Sequence, residues 1–452
     1  MRSENLNMTE GRPLSLLVRF ALPLMLGNLF QQLYILSDTA IVGRGVGMDA
    51  LAALGTVDWL NWMLLGFAQG LTQGFCVRIS QKYGEGDFPG LRRIAGQSAR
   101  LTLWMSALGT ALFQLGIPLF LTFLRVPRDL MPMSLLYSRI VMGGFPAVAF
   151  YNYASSVLRA AGDSKTPLRA MVTAAVTNIV LDLLTVFVLH WGIAGAAAAT
   201  VFSQALSFAI CAFKIRRSPI LRFGRSDLRR ERRLGNDLLR LGLPIAGKNV
   251  IIALGGLVLQ FVVNGYGMSF IAGYTATNKL YGLMEIAALS YGYAVTTYVG
   301  QNYGAGRHDR IKSGMRTALR LALATSAVIG TGMVVFGRAA TGLFLVADSP
   351  ALAAAAEKTA YVYLVVMSVS LPALYLLYAY QAALQGIGRT SISIVSGGLE
   401  LFMRVSIAVV TGMLLWESGV FLAEVAAWFV AAGYLAWQYY RSLRIFSVKE
   451  EH

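Results

Sequence analysis

Apolar runs of about 20 residues recur from one end of this chain to the other, and each is long enough to cross a bilayer as a helix. The runs are continuous and do not alternate, which argues against a transmembrane β-barrel. Of the 452 residues, 56% are hydrophobic and 13% charged, about half the charged share of a soluble domain. Mean hydropathy is +0.60. Hydropathy, breakers and charge together predict about twelve spans. The opening MRSENLNMTEGR is too polar for a secretory signal, so the first apolar run reads as a genuine span.

The charges give the topology. The net charge is +17, and the excess Lys and Arg fall in every second loop. Arg2, Arg12 and Arg19 precede or open the first span; Arg78, Lys82, Arg92 and Arg93 follow the second; Arg159, Lys165 and Arg169 follow the fourth. The densest run, RRSPILRFGRSDLRRERR from Arg216 to Arg233, follows the sixth. Arg307, Arg310 and Lys312, then Arg389, then Arg441, Arg444 and Lys449 continue the pattern. The opposite loops are poorer in charge, with Arg125, Arg128 and Arg338 as exceptions. Retention of basic loops on the cytoplasmic side predicts a multi-pass protein of the cell membrane, the inner membrane in a bacterium, with both termini cytoplasmic. No basic, aromatic-interleaved module stands outside the spans, so no nucleic-acid partner is expected. Cys76 and Cys211 make no disulfide framework, and the three histidines have no ligand spacing.

The two halves resemble each other. FALPLMLGNLF near Pro23 matches LGLPIAGKNVI near Pro244, and GVGMDALAALG at Gly45 matches GYGMSFIAGYT at Gly265. QKYGEGD at Gln81 matches QNYGAGR at Gln301, and VLRAAGDSKT at Val157 matches ALQGIGRTSI at Ala383. The offset is about 220 residues each time, the mark of a duplicated unit. Each unit holds an even number of spans, about six, so the second enters from the same side as the first. The expected fold is an all-α polytopic membrane protein of about twelve transmembrane helices in two six-helix parallel-repeat bundles. Residues 1–213 form the N-terminal lobe, 214–235 a basic cytoplasmic linker and 236–452 the C-terminal lobe. The linker reads as a solvated loop anchored against anionic lipid heads. Two such bundles form the general design of a rocking transporter, and one chain supplies both, so a monomer suffices.

Within the first span, LPLMLGNLFQQLYILSDTAIVGRGVG, stands Asp38. A carboxylate in hydrocarbon costs about 2.5–3.5 kcal/mol even on a mild scale, so a functional role is its default reading. Asn178 and Asp182, four apart in TNIVLDLL, share a helix face. Oxygen-bearing side chains around two carboxylates can coordinate a hard cation such as Na+. They can equally hold a shared proton, because two close carboxylates in a low dielectric cannot both stay ionised. A buried network that merely fixes helix packing is the plainer alternative.

At QQLYILSDTAIVGRGVGMDALAALG the chain resembles the MATE (multidrug and toxic compound extrusion) family, and the likeness continues through the YGxG loops, LRAAGDSKTPL and GIAGAAAATVFSQALS. The resemblance implies a twelve-helix antiporter that exports organic, often cationic compounds against inward H+ or Na+. It further implies a cation- or proton-coupling cluster of Asp38 on the first span, Asn152 on the fourth, Asn178 and Asp182 on the fifth and Thr200 on the sixth. With Na+ as the coupling ion, Asp38, Asn178 and Asp182 would be its ligands. No other cofactor is implied. Pro23 removes a backbone hydrogen bond and can act as a hinge; in the family such a bend accompanies cation binding.

The second half departs from the NorM-like branch, whose seventh and tenth helices each carry a carboxylate. Here the seventh span has Lys248 and Gln260 but no acid, and the tenth has none. That favours the DinF-like branch. Glu400 and Arg404, four apart, read as a pair; Lys248 needs a partner such as Glu400 or a pore-facing position. Glu285 sits mid-span, and with Tyr34, Lys248, Glu400 and Arg404 it is a candidate for lining the substrate path. Asp58 and Lys279 begin their spans and read as snorkelling.

Enzymatic chemistry is not expected: the chain offers no metal-ligand spacing, no nucleophile beside a base and no phosphate-cradling glycine loop. The alternative transport reading is a lipid-linked oligosaccharide flippase of a related superfamily, which would want a strongly cationic cavity.

Overall fold

The computed structural model describes residues 6–123, 126–342, 350–414 and 416–450. Arg125 and the side chains of Asp58 and Lys449 lie outside the described residues. Among the described residues all regular structure is helical. In chain order the helices are α1 (Pro13–Gly45), α2 (Met48–Glu85), α3 (Phe88–Phe123), α4 (Met131–Gly143), α5 (Phe145–Ala160), α6 (Lys165–Leu183) and α7 (Gly192–Arg217). Then come α8 (Arg232–Val263), α9 (Met268–Gly304), α10 (His308–Gly342), α11 (Pro350–Gly386), α12 (Ser391–Met413) and α13 (Phe421–Glu450).

Among the described residues ten segments are long and apolar enough to cross a membrane, and α4 and α5 together make one of them. The helices α2 and α9 are not among the ten, yet at 38 and 37 residues each exceeds the length a bilayer core needs. Their polar C-terminal continuations, ending in QKYGE and QNYG, lengthen them beyond the apolar stretch. The break between α4 and α5 falls at Gly144, with Pro146 beginning the next helix. Proline tolerates the first turn of a helix because its missing N–H would have no partner there.

The sequence repeat is also a backbone repeat. Gly86 and Gly306, in the two YGxG loops, have φ of 74° and 68°; Gly162 and Gly388, in the AAGD and GIGR turns, have 85° and 86°. Side chains other than glycine rarely adopt this left-handed region.

The chain divides into two compact units, Met1–Asn7 with Leu22–Ala246 and Met8–Ala21 with Gly247–His452. In the first unit, Gly70 and Gly74 of α2 lie against Ala246 and Gly242 of α8 at backbone distance. Small residues four apart let helices approach this closely where apolar burial gives no drive. A methyl group at Gly74 would fall on the backbone of Gly242. Gly74→Ala is therefore expected to destabilise by about 1–3 kcal/mol, while Gly116→Ala, where the added atom meets open space, is neutral or stabilising by up to about 1 kcal/mol. Thermal unfolding in detergent compares the two; equal melting temperatures would refute the close approach.

The second unit is ordered by stacked rings. Phe270, Phe421, Tyr363 and Tyr274 form a column with successive centroids 5.4, 4.6 and 5.1 Å apart. In the same unit the Met8 N–H donates to Gln301 Oε1 at 2.9 Å, and Asn302 Nδ2 donates to the Met8 carbonyl at 2.9 Å. Arg307 and Arg310 donate to the carbonyls of Thr9 and Gly11, both at 2.9 Å. The second YGxG loop thus satisfies the backbone of the segment that precedes α1.

Candidate functional site

The site in the first unit follows from the register of two parallel helices. A methyl group added at Gly27 of α1 would meet Leu168 of α6 in ordinary contact at 3.8 Å, and one added at Gly45 would overlap Val186 just beyond α6. The separation along the chain is the same on both sides, so the helices run in register. Asp38 is then level with the turn between Asn178 and Asp182. At about 100° per residue, Gly27, Tyr34, Asp38 and Gly45 fall within roughly 20° of one line. The glycines at the ends of this stripe allow the approach, and the polar residues between them face α6.

Asn178 and Asp182 are fully buried, and Asp38 is 8% exposed. Asp38 and Asp182 are direct electrostatic neighbours. Tyr34 adjoins both carboxylates and the Thr200 hydroxyl of α7. Neither oxygen of Asp182 and neither polar atom of the Asn178 amide has a hydrogen-bond partner among the described residues. Immediately after Asp182 the helix widens into a π turn, Leu184–Val188, a distortion that recurs at functional sites. Gly45 of α1 packs against Val186 and Phe187 of this turn, and Gly195 of α7 packs against Thr185. The turn is wedged between two helices at close approach, which fixes where Asp182 points.

The structure thus brings together Tyr34, Asp38, Asp182 and Thr200, with Asn178 one turn below Asp182 on α6. Asn152, on α5, is buried, and its Nδ2 donates to the Val148 carbonyl of its own helix at 2.9 Å. That donor is spent locally. Pro23 lies inside α1, which stays helical through it. The donors of the cluster are carboxylate, amide, hydroxyl and phenol oxygens, suited to Na+ or to a shared proton. No group of three or more His, Cys, Asp or Glu side chains among the described residues could hold a metal ion.

The second unit holds a separate ionic ladder. Lys248 Nζ of α8 donates to Gln381 Oε1 of α11 and lies 3.4 Å from Glu400 Oε1 of α12. The other Glu400 oxygen is 3.8 Å from Arg404, which makes two 2.7 Å hydrogen bonds to Glu424 of α13. Two cations and two anions alternate and balance. Glu400 is therefore the partner that Lys248 required. Glu424 escaped the sequence reading; its signal was an acid inside the apolar run FLAEVAAWF. Glu285 on α9 accepts a 2.5 Å hydrogen bond from the Tyr378 hydroxyl and neighbours Tyr281, which stacks on Trp428. Lys279 is exposed, as a snorkelling side chain would be.

Residues 23–184 and 244–410 match the family model MatE. The chain is 33% identical over 306 residues to "Probable multidrug resistance protein YpnP" of Bacillus subtilis, covering 67% of this chain and 68% of that one. It is 31% identical over 339 residues to "Probable multidrug resistance protein YoeA" of the same organism, covering 72% of each. Among solved structures, "Crystal structure of MATE in complex with MaL6" superposes with a TM-score of 0.91 at 24% identity, covering 99% of both chains. The family match falls on both copies of the repeat, and with these relatives it shows that the chain belongs to the MatE family of multi-pass membrane transporters and is not an enzyme.

Proposed function

We propose that the chain is a secondary antiporter that exports organic, often cationic and amphipathic compounds by alternating access, coupled to inward H+ or Na+ through Asp38 and Asp182. The observation that carries this reading is the placement of two carboxylates side by side inside apolar helices. Like charges about 4 Å apart repel by roughly 4 kcal/mol at an effective dielectric of 20. A proton or Na+ entering the cluster relieves that repulsion. Asn178 and Thr200 supply neutral oxygens to the incoming charge, and Tyr34 bridges α1 to the pair. Neutralisation lets α1 repack against α6, with Pro23 as the point where the helix gives. The substrate's counter-charge disappears and the substrate leaves outward. The lobes, residues 1–213 and 236–452, then rock about the basic linker and the cation exits inward, toward the side that holds both termini. The multidrug names of the relatives support the substrate class.

Coupling requires that cation and substrate prefer different states, not merely that both bind. The test is efflux of a fluorescent organic cation from proteoliposomes under an imposed pH or Na+ gradient. Efflux is expected to accelerate with one gradient and to stop when an ionophore collapses it. Efflux indifferent to both gradients would refute antiport.

A further inference from the structure

The segment from Lys214 to Arg233 carries eight arginines and one lysine against Asp227 and Glu231, and the transport mechanism makes no chemical use of them. A loop of such composition would ordinarily be loose. This one is folded. Leu221 is 1% exposed and belongs to the hydrophobic core of the first unit. Ser226–Leu228 form a 3-10 turn, and the Asp227 carboxylate accepts the N–H of Gly224, just before the turn, at 2.8 Å. Gln97 of α3 fastens the segment from beneath. Its amide nitrogen donates to the carbonyls of Asp227 and Arg229, and its oxygen accepts the Glu231 N–H at 3.3 Å. Gly96 leaves no room for a side chain between α3 and the Asp227 backbone.

On this fixed backbone Arg216, Arg217, Arg222, Arg225, Arg229, Arg230, Arg232 and Arg233 are all exposed. None of the eight makes an ion pair among the described residues. Arg217 stacks on Phe213, 4.1 Å from the ring centroid, at the end of α7. Exposed Arg93 adds a further cation one turn from Gln97. Both ends of the segment continue directly into apolar helices, α7 ending at Arg217 and α8 beginning at Arg232. That tether keeps the arginines at the level of lipid headgroups. Guanidinium presents a rigid donor fork that matches phosphate oxygens in pairs, which ammonium does not.

We infer that residues 214–233 form a built binding platform for anionic phospholipid headgroups, recognising the phosphodiester through arginine forks. The inference is independent of the coupling mechanism. A basic segment at an anionic leaflet gains about fivefold in partitioning per arginine. Three proteins decide the matter: wild type, the quadruple variant R222Q/R225Q/R229Q/R230Q, and the same four positions changed to lysine. Each is equilibrated with mixed phosphatidylglycerol and phosphatidylcholine, and retained lipid is read by native mass spectrometry. Wild type is expected to enrich phosphatidylglycerol at least about tenfold, the glutamine variant to lose the enrichment, and the lysine variant to keep only part of it. Unchanged enrichment in the glutamine variant would overturn the site. Full enrichment in the lysine variant would overturn recognition by guanidinium forks. Wild type binding an RNA oligonucleotide in preference to phosphatidylglycerol would overturn the choice of partner. A melting temperature for the glutamine variant equal to wild type separates loss of lipid from loss of fold.

Discussion

Asp38→Asn is expected to abolish gradient-driven efflux while leaving the protein folded and inserted. Asparagine keeps the size of the side chain and removes its charge, so the repulsion with Asp182 disappears without any cation. The coupling ion then loses its reason to enter, and the state it should select is already selected. If the ion tips the conformational equilibrium by about 3 kcal/mol, the loss amounts to roughly 100-fold in efflux rate. Asp182→Asn belongs to the same class, because the pair acts as one site. Removing an unfavourable contact should also leave the melting temperature equal or higher, which separates this result from unfolding. Asn178→Ala should cost less, about tenfold, since it deletes one neutral oxygen and no charge. Efflux by Asp38→Asn within twofold of wild type, measured in proteoliposomes under the same gradient, would remove the pair from the mechanism.

Some of this site was legible in the sequence because it depends on distance along one helix. Asn178 and Asp182 share a face by spacing alone, and Asp38 stands out because a carboxylate in an apolar run is costly. Thr200 was reached only through the family resemblance, since a threonine in a span carries no such penalty. The in-register packing of α1 on α6 needed Gly27 and Gly45 to be seen against Leu168 and Val186. Once that register is known, the level of Asp38 follows. The π turn after Asp182 left no trace in composition, because LTVFV fits an α-helix equally well. In the second unit, Glu400 and Arg404 were readable as a pair four apart and Glu400 as a candidate partner of Lys248, but the other partners of Arg404 and Lys248 were not. Arg404 is held by Glu424 and Lys248 by Gln381, both from other helices, and helix neighbours cannot be read from spacing within one span. The turn glycines at 86, 162, 306 and 388 were visible as repeated motifs, and their shared φ follows from the same steric demand.

Arg404→Met is expected to destabilise the protein by about 3–5 kcal/mol, the cost of breaking a buried ion pair from one side. Glu424 would lose two 2.7 Å hydrogen bonds, and Glu400 would lose the cation on its far oxygen. An uncompensated carboxylate inside an apolar bundle is worse than none. Pairing the change with Glu424→Met removes both the cation and the stranded anion. The double variant should then recover most of the loss, as well-packed apolar groups often replace a buried pair at no net cost. Lys248→Met offers the contrast. It strips Glu400 of one neighbour but leaves Arg404 at 3.8 Å and the Ser396 hydroxyl at 3.3 Å, so its penalty should be smaller than that of Arg404→Met. Thermal unfolding of the three proteins in one detergent ranks them. The expected order of stability is double variant above Lys248→Met above Arg404→Met. If Arg404→Met and the double variant melted together, the loss would come from packing around the long arginine stem. The alternating ladder would then not be what holds α12 to α13.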